Sequence, residues 1–110
     1  MDCIFCKIVS KEIKSNIIYE DKNIIVFDDI KPAANVHVLI VPKKHIESLS
    51  VISEEDKDIV SDIIFKAKEI AKIKGIKDFR LVSNSGKEAG QEIFHLHFHL
   101  LGGQKLGKLC

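Results

Sequence analysis

Features typical of nucleic-acid-binding and membrane proteins are missing from this 110-residue chain. It has no tryptophan and a single tyrosine, so it lacks the aromatic platforms on which single-stranded nucleic acids stack. Its net charge is +1, and its lysines alternate with acids instead of forming a basic face, which argues against a nucleic-acid partner. No apolar run approaches the length of about 20 residues that spans a bilayer, so we expect no membrane partner.

We expect neither a disulfide framework nor a secretion signal. The chain has three cysteines, an odd number, and its N-terminal residues are too polar for a signal peptide. We therefore expect a cytoplasmic protein in which Cys110 is an exposed, incidental thiol. With 45% hydrophobic and 30% charged residues, the sequence indicates one globular domain over residues 1–110.

Three histidines alternate with apolar residues in the segment Phe94–Leu101, which reads F-H-L-H-F-H-L-L. Because side chains of a strand alternate between its two faces, the pattern predicts a strand with His95, His97 and His99 on one face. A helix would scatter the same residues around its circumference. Neutral imidazole binds metals, carries protons and attacks electrophiles. The histidine stripe formed by His95, His97 and His99 therefore predicts either metal binding or covalent catalysis.

The remaining patterns predict an α+β fold in which one long helix crosses an antiparallel five-stranded sheet. Ser53 is the expected N-cap of that helix, and Gly75 is its expected C′ residue. The apolar positions between them recur at helical spacing. The expected strands, besides the histidine strand, are Ile17–Glu20, Ile24–Phe27, Val36–Val41 and Phe79–Ser83.

A C-x-x-C pair, Cys3 and Cys6, lies in a predicted helical turn, Ile4–Ile8. The pair could be two buried thiols, a redox dithiol or half of a zinc site. A redox C-x-x-C usually follows a βα unit, which is missing here. A zinc site needs further ligands, and outside the stripe only His37 and His45 remain. The residues alone do not choose between them.

The segment from Asn84 to Gln91 contains two glycines between the last two predicted strands. Glycines can adopt positive φ and expose backbone N–H groups, which together form an anion-binding nest. The segment has no Walker A spacing. An ordinary hairpin loop is the competing interpretation.

Five motifs together resemble the histidine triad (HIT) proteins, specifically the Hint-like branch. They are C-I-F-C-K-I, D-D-I-K-P, V-H-V-L-I-V-P-K-K-H, S-N-S-G…A-G-Q and H-L-H-F-H-L-L, and the resemblance extends from Cys3 to Gly103. The resemblance implies a HIT-like fold and a hydrolase of nucleoside 5′-phosphoramidates that forms a covalent nucleotidyl-histidine intermediate. It leaves open a dinucleoside polyphosphate hydrolase or a nucleotidyltransferase. A zinc-stabilised nucleotide-binding module with little turnover is the alternative from another class.

The same resemblance assigns roles to individual residues. His97 matches the nucleophile and His99 the histidine that contacts phosphate, while His37 matches a histidine beside the triad that orients an imidazole or simply fills the core. The expected nucleotide-binding residues are Phe5, Ile8 and Phe27 around the base, Asp29 at the ribose, and Asn84, Gly90, Gln91 and Glu92 at the phosphate, together with His97 and His99.

Family members with the N-terminal cysteine pair hold a structural zinc ion. Here the matching ligands are Cys3, Cys6, His45 and His95. All four coordination positions would be filled by protein, which is typical of structural zinc. The family also implies a purine nucleotide substrate and a homodimer with the long helix and a sheet edge at its interface.

The chain departs from the family pattern at two places. Glu92 stands where many Hint-like members have Ser or Thr, and a carboxylate near a phosphate would repel it. The C-terminal segment L-G-G-Q-K-L-G-K-L-C lacks the aromatic and proline-bearing end of animal Hint proteins, which contributes to their substrate choice.

Overall fold

The computed structural model describes residues 3–109, which form a five-stranded sheet and two α-helices. The helices are α1 (Ile4–Val9) and α2 (Lys57–Ile73), and the strands are β1 (Ile17–Glu20), β2 (Ile24–Asp28), β3 (Val36–Pro42), β4 (Phe79–Val82) and β5 (Phe98–Gly102). The strand order is β1-β2-β3-β5-β4, and every neighbouring pair is antiparallel. This architecture confirms the predicted α+β fold.

The two faces of the sheet are covered by different helices. In β2, Ile24 and Val26 belong to the core beneath α2, whereas Ile25 and Phe27 belong to a second core that includes α1. The side chains of the central strand β3 likewise alternate between the two cores. Burial on both faces explains why these strands are continuous apolar runs rather than alternating ones. The face that carries α1 is also the face of His37 and His99.

Helix α2 begins and ends close to the predicted signals. Asp56 Oδ2 accepts a hydrogen bond from the Ser53 backbone N–H at 2.9 Å, so Ser53 caps a 3-10 turn that leads into α2. At the other end Gly75 has φ +73° and donates to Lys72, while Ile76 donates to the carbonyl of Ala71. This is a Schellman motif, and it confirms Gly75 as the C′ residue. Neither α2 nor any other helix within residues 3–109 is long and apolar enough to cross a membrane.

The histidine strand is shorter than predicted. Instead of Phe94–Leu101, β5 begins at Phe98, which pairs with Ile40 of β3. Continuing this register would place Leu96 opposite Pro42. Proline has no N–H to donate, so the ladder cannot extend further.

The alternation nevertheless persists through the irregular segment before β5. The Leu96 backbone N–H donates to the carbonyl of Ile46 at 2.6 Å in place of a strand partner. Leu96, Phe98 and Leu100 all pack in the α2 core, and the histidines between them point to the other face. Phe94 is the exception, since it is 42% exposed.

Candidate functional site

A cavity of about 440 Å³ opens on the sheet face that carries α1. Its volume is typical of small-molecule sites. The predicted site residues in its wall are Phe5, Ile8, Phe27, Asp29, Asn84, Gly90, Glu92, His97 and His99. A larger depression of about 690 Å³, between the end of α2 and the start of β4, contains none of the predicted residues. The candidate site is therefore the first cavity.

His97 is held in one orientation and one tautomer. Its Nδ1 lies 2.7 Å from the carbonyl oxygen of His95. A carbonyl only accepts hydrogen bonds, so Nδ1 carries the proton and Nε2 keeps its lone pair. The ring packs edge-on against Phe5, with centroids 5.0 Å apart. Burial lowers the pKa of His97, which keeps the ring neutral and able to act as a nucleophile.

His99 receives its tautomer from His37. The Ala33 backbone N–H donates to His37 Nδ1 at 2.9 Å, so His37 carries its proton on Nε2. That proton is donated to His99 Nδ1, also at 2.9 Å, and leaves His99 with its own proton on Nε2. Burial, with the neighbouring rings of His97 and His37, lowers the pKa of His99 to about 4. The cavity wall thus holds one ring with a free lone pair and one ring with a free N–H.

Asp29 directly follows β2 and contacts His37, the partner of His99. Its backbone N–H donates to the carbonyl of His37 at 3.0 Å. Its Oδ1 accepts the Lys31 backbone N–H at 2.8 Å, and its Oδ2 lies 3.4 Å from His37 Nε2. The carboxylate is therefore fixed at the cavity wall with one oxygen near the histidine pair.

The predicted anion loop has the backbone that its glycines suggested. Gly86 and Gly90 both have φ near +100°, on either side of a 3-10 turn, Lys87–Ala89. Asn84 and Gly90 reach the cavity wall. Gln91 does not, because its side chain is buried and turned away from the cavity. It accepts the Gly86 N–H and supports the loop from behind.

The four predicted metal ligands come together beside the cavity. Cys3, Cys6, His45 and His95 each offer one donor atom, and all four atoms lie within 4.8 Å of one another. The His95 Nδ1 atom is 3.3 Å from Cys3 Sγ and 3.6 Å from Cys6 Sγ. A tetrahedral ion with bonds of about 2.3 Å to sulfur and about 2.0 Å to nitrogen gives an S–N separation of about 3.5 Å. This group could hold such an ion, and His45, rather than His37, is the second histidine.

His95 is prepared as a ligand by a backbone contact. Its Nε2 lies 2.8 Å from the carbonyl of Pro42, so Nε2 donates and Nδ1 presents its lone pair to the cysteines. Burial lowers the pKa of His95, which favours the neutral form that metals bind. The Pro42 carbonyl could not be identified from sequence, because any residue type would supply the same group.

Phe5 connects the metal-ligand group to the cavity. It lies between Cys3 and Cys6 in α1, and its ring centroid is 5.9 Å from His95 and 5.0 Å from His97. The ring is nearly fully buried. Anything that holds the two cysteines therefore also holds one wall of the cavity.

Sequence reasoning missed several residues around the cavity. They are Ile4, Ile13, Lys14, Ser15, Asp28, Ile30, Lys31, Leu39 and Ile93. Ile30 is 87% exposed, and its only sequence signal is its position next to Asp29. An exposed isoleucine beside a cavity adds apolar surface that a ligand can cover.

Comparison with known proteins identifies the family. The chain matches the family model described as "Scavenger mRNA decapping enzyme C-term binding" over residues 2–109. It is 49% identical over 104 residues to an uncharacterised HIT-like protein of Synechocystis, covering 94% of this chain and 91% of that protein. Protein HitA of Neisseria gonorrhoeae is 45% identical over 102 residues, covering 92% of this chain and 95% of that protein.

Solved structures agree with this assignment. A HIT family hydrolase from Clostridium thermocellum superposes with a TM-score of 0.96 at 48% identity, covering 99% of this chain and 97% of that one. A HIT family hydrolase from Legionella pneumophila gives a TM-score of 0.94 at 42% identity, with 96% of each chain covered. The chain therefore belongs to the histidine triad (HIT) family, and its nearly full-length structural relatives include proteins described as hydrolases.

Proposed function

We propose that this protein hydrolyses nucleoside 5′-phosphoramidates through a covalent nucleotidyl intermediate on His97. The observation that carries the proposal is the pairing of two fixed tautomers in one cavity. His97 presents an unprotonated Nε2, and His99 beside it presents an Nε2–H, with the ring centroids 5.0 Å apart. A nucleophile and a proton donor on neighbouring rings suit displacement at phosphorus.

The cavity wall suits each part of a nucleotide. Phe5, Ile8 and Phe27 offer apolar surface to the base. Asp29 offers a carboxylate oxygen to a ribose hydroxyl. Gly90, with the loop backbone around it, and the His99 ring face the phosphoryl oxygens, where negative charge develops.

The reaction proceeds in two displacements. An anionic phosphoryl group beside His99 raises the proton affinity of that ring, so the site takes up one proton with the substrate. His97 Nε2 forms a bond to phosphorus, the P–N bond breaks, and the leaving nitrogen keeps the bonding electrons and receives the proton from His99. Water then attacks phosphorus and gives a proton to His99, and the P–N bond to His97 breaks. The products are a free amine and a nucleoside monophosphate.

We propose that the ion held by Cys3, Cys6, His45 and His95 is zinc. Two thiolates and two imidazoles are a common zinc ligand set, and they fill all four positions. The ion would cross-link α1 to the segment before β5 and take no part in the displacement steps. Thiolate ligands must stay reduced, which suits a cytoplasmic protein.

The direct test compares two substrate classes. We expect the purified protein to release adenosine monophosphate from adenosine 5′-phosphoramidate much faster than from a diadenosine polyphosphate. Rapid quenching and intact-protein mass spectrometry should detect one nucleotidyl group per chain. The reverse preference would assign the site to dinucleoside polyphosphates. Failure to cleave either substrate would overturn the proposal.

The low pKa of His99 predicts how stability depends on pH. Its folded-state pKa of about 4 lies below the value of about 6.5 for a free histidine, so the unfolded chain binds more protons between these values. The free energy of unfolding should therefore fall as pH decreases from about 6.5 to about 4. His99→Gln should reduce this slope, by at most about 1.4 kcal/mol per pH unit.

Urea unfolding of both proteins at several pH values measures that difference. All other titratable side chains are the same in the two proteins, so the difference between the two slopes reports the replacement of His99. Identical slopes in the two proteins would show that His99 titrates normally in the fold.

A further inference from the structure

Glu92 occupies a particular place in the cavity wall. It lies between the anion loop and the histidines, and it lines the cavity together with Asn84, Gly90 and His97. Its side chain is exposed. The carboxylate has no hydrogen-bond or ion-pair partner anywhere within residues 3–109. It is therefore available to whatever enters the cavity.

The backbone of Glu92 is held in place from both sides. The buried Gln91 side chain accepts the Gly86 N–H at 2.8 Å. Its amide nitrogen donates to the carbonyl of Ile93 at 3.0 Å and to that of Glu47 at 2.8 Å. These bonds fix the residues before and after Glu92. The backbone that carries the Glu92 carboxylate is consequently part of a fixed wall.

The other carboxylates of the cavity wall already have partners. Asp28 accepts hydrogen bonds from Asn16 and Lys74, and Asp29 is engaged by Lys31 and His37. Within the described chain, Glu92 is thus the cavity carboxylate left to act on a ligand's charge.

We propose that Glu92 selects the leaving group, favouring amines that carry an additional positive charge over anionic leaving groups such as phosphates. This inference rests on the proposed function, since it names the substrate class of the same site. The nucleotide itself is bound by the apolar wall, Asp29 and the loop. The group that departs from phosphorus is the remaining part of the substrate, and Glu92 supplies the unpartnered carboxylate in the wall of the same cavity.

Coulomb's law sets the size of the effect. For a charge about 5 Å from an exposed carboxylate, screening by water limits the interaction to about a fivefold to tenfold effect per unit charge. A cationic and an anionic leaving group differ by two charges, so their reactivities should differ by about 30-fold or more. The preference should shrink as salt is added.

The test uses three adenosine phosphoramidates that differ only in the leaving amine: 1,2-diaminoethane, propylamine and β-alanine, whose free ends are positive, neutral and negative. The readout is the ratio of kcat/KM for the cationic and anionic substrates. We expect wild-type protein to prefer the cationic one by about 30-fold, Glu92→Gln to bring the ratio near one, and Glu92→Lys to reverse it. The matched control is Glu88→Gln, which makes the same charge change in the same loop away from the cavity and should keep the wild-type ratio.

A binding measurement separates this inference from the proposed function. Calorimetry with the His97→Ala background, with and without Glu92→Gln, gives Kd for the three phosphoramidates without turnover. Tightest binding of the cationic phosphoramidate and weakest binding of the anionic one support the role of Glu92, even if wild-type protein cleaves none of the three. A charge order in Kd that Glu92→Gln leaves unchanged overturns it, whatever the activity.

Discussion

Replacing His97 with alanine should lower kcat for a nucleoside phosphoramidate by at least about a thousandfold, because the variant has no nucleophile to form the covalent intermediate. The nucleotidyl adduct should vanish with it. The apolar wall, Asp29 and the anion loop are unchanged in this variant, so the Kd of a non-reactive nucleotide should change only a few-fold. Rapid-quench kinetics and calorimetry measure the two quantities separately.

Two controls support the interpretation of the His97 variant. His37→Ala removes the N–H that fixes the tautomer of His99 while leaving the nucleophile, so it should lose activity by about tenfold, the worth of one hydrogen bond. Sedimentation of all three proteins shows whether they stay folded, and it also tests the homodimer that the family resemblance implies. Turnover by His97→Ala at the wild-type rate would refute His97 as the nucleophile.

Local patterns in the sequence predicted most of the elements. The bounds of β1 are those expected, and α2 ends in the Schellman motif that Gly75 indicated. These features depend on neighbours in sequence, because apolar periodicity and backbone freedom act over a few residues. The alternation of histidines with apolar residues also survives where the strand itself does not.

What could not be predicted depends on contacts between distant residues. The start of β5 depends on Pro42, which lies more than fifty positions before it and blocks the ladder only in the observed register. His45, rather than His37, is named as the second histidine only through the family resemblance, since the residues alone do not distinguish two single histidines near β3. Gln91 matched the anion loop by sequence, yet its side chain turns inward. Even the histidine tautomers depend on backbone N–H and carbonyl groups that no residue type encodes.

The metal-ligand group should contribute more to stability than any other feature of comparable size. It joins α1, the segment after β3 and the segment before β5, which are separated by up to 92 positions in the chain. Because the unfolded chain does not present this arrangement, binding free energy appears as folding free energy. We expect one zinc ion per chain in the purified protein, measured by elemental analysis.

Removing the ion, either with a chelator or by Cys3→Ser, should lower the free energy of unfolding by about 3–5 kcal/mol. The corresponding fall in Tm is about 10 °C or more for a domain of this size. Cys110→Ser is the matched control, since Cys110 lies outside the described residues and is not among the four predicted ligands. It should retain both the zinc ion and the Tm.

His95→Ala completes this prediction, because it separates two histidines that look equivalent in the sequence. Loss of the His95 imidazole should cost the zinc ion and about 10 °C or more of Tm, whereas His97→Ala should cost turnover and keep the ion. Phe5 lies between the two ligand cysteines and against His97, so metal loss should also weaken nucleotide binding. An apo protein with unchanged Tm and unchanged nucleotide Kd would contradict both the structural role of the ion and the coupling through Phe5.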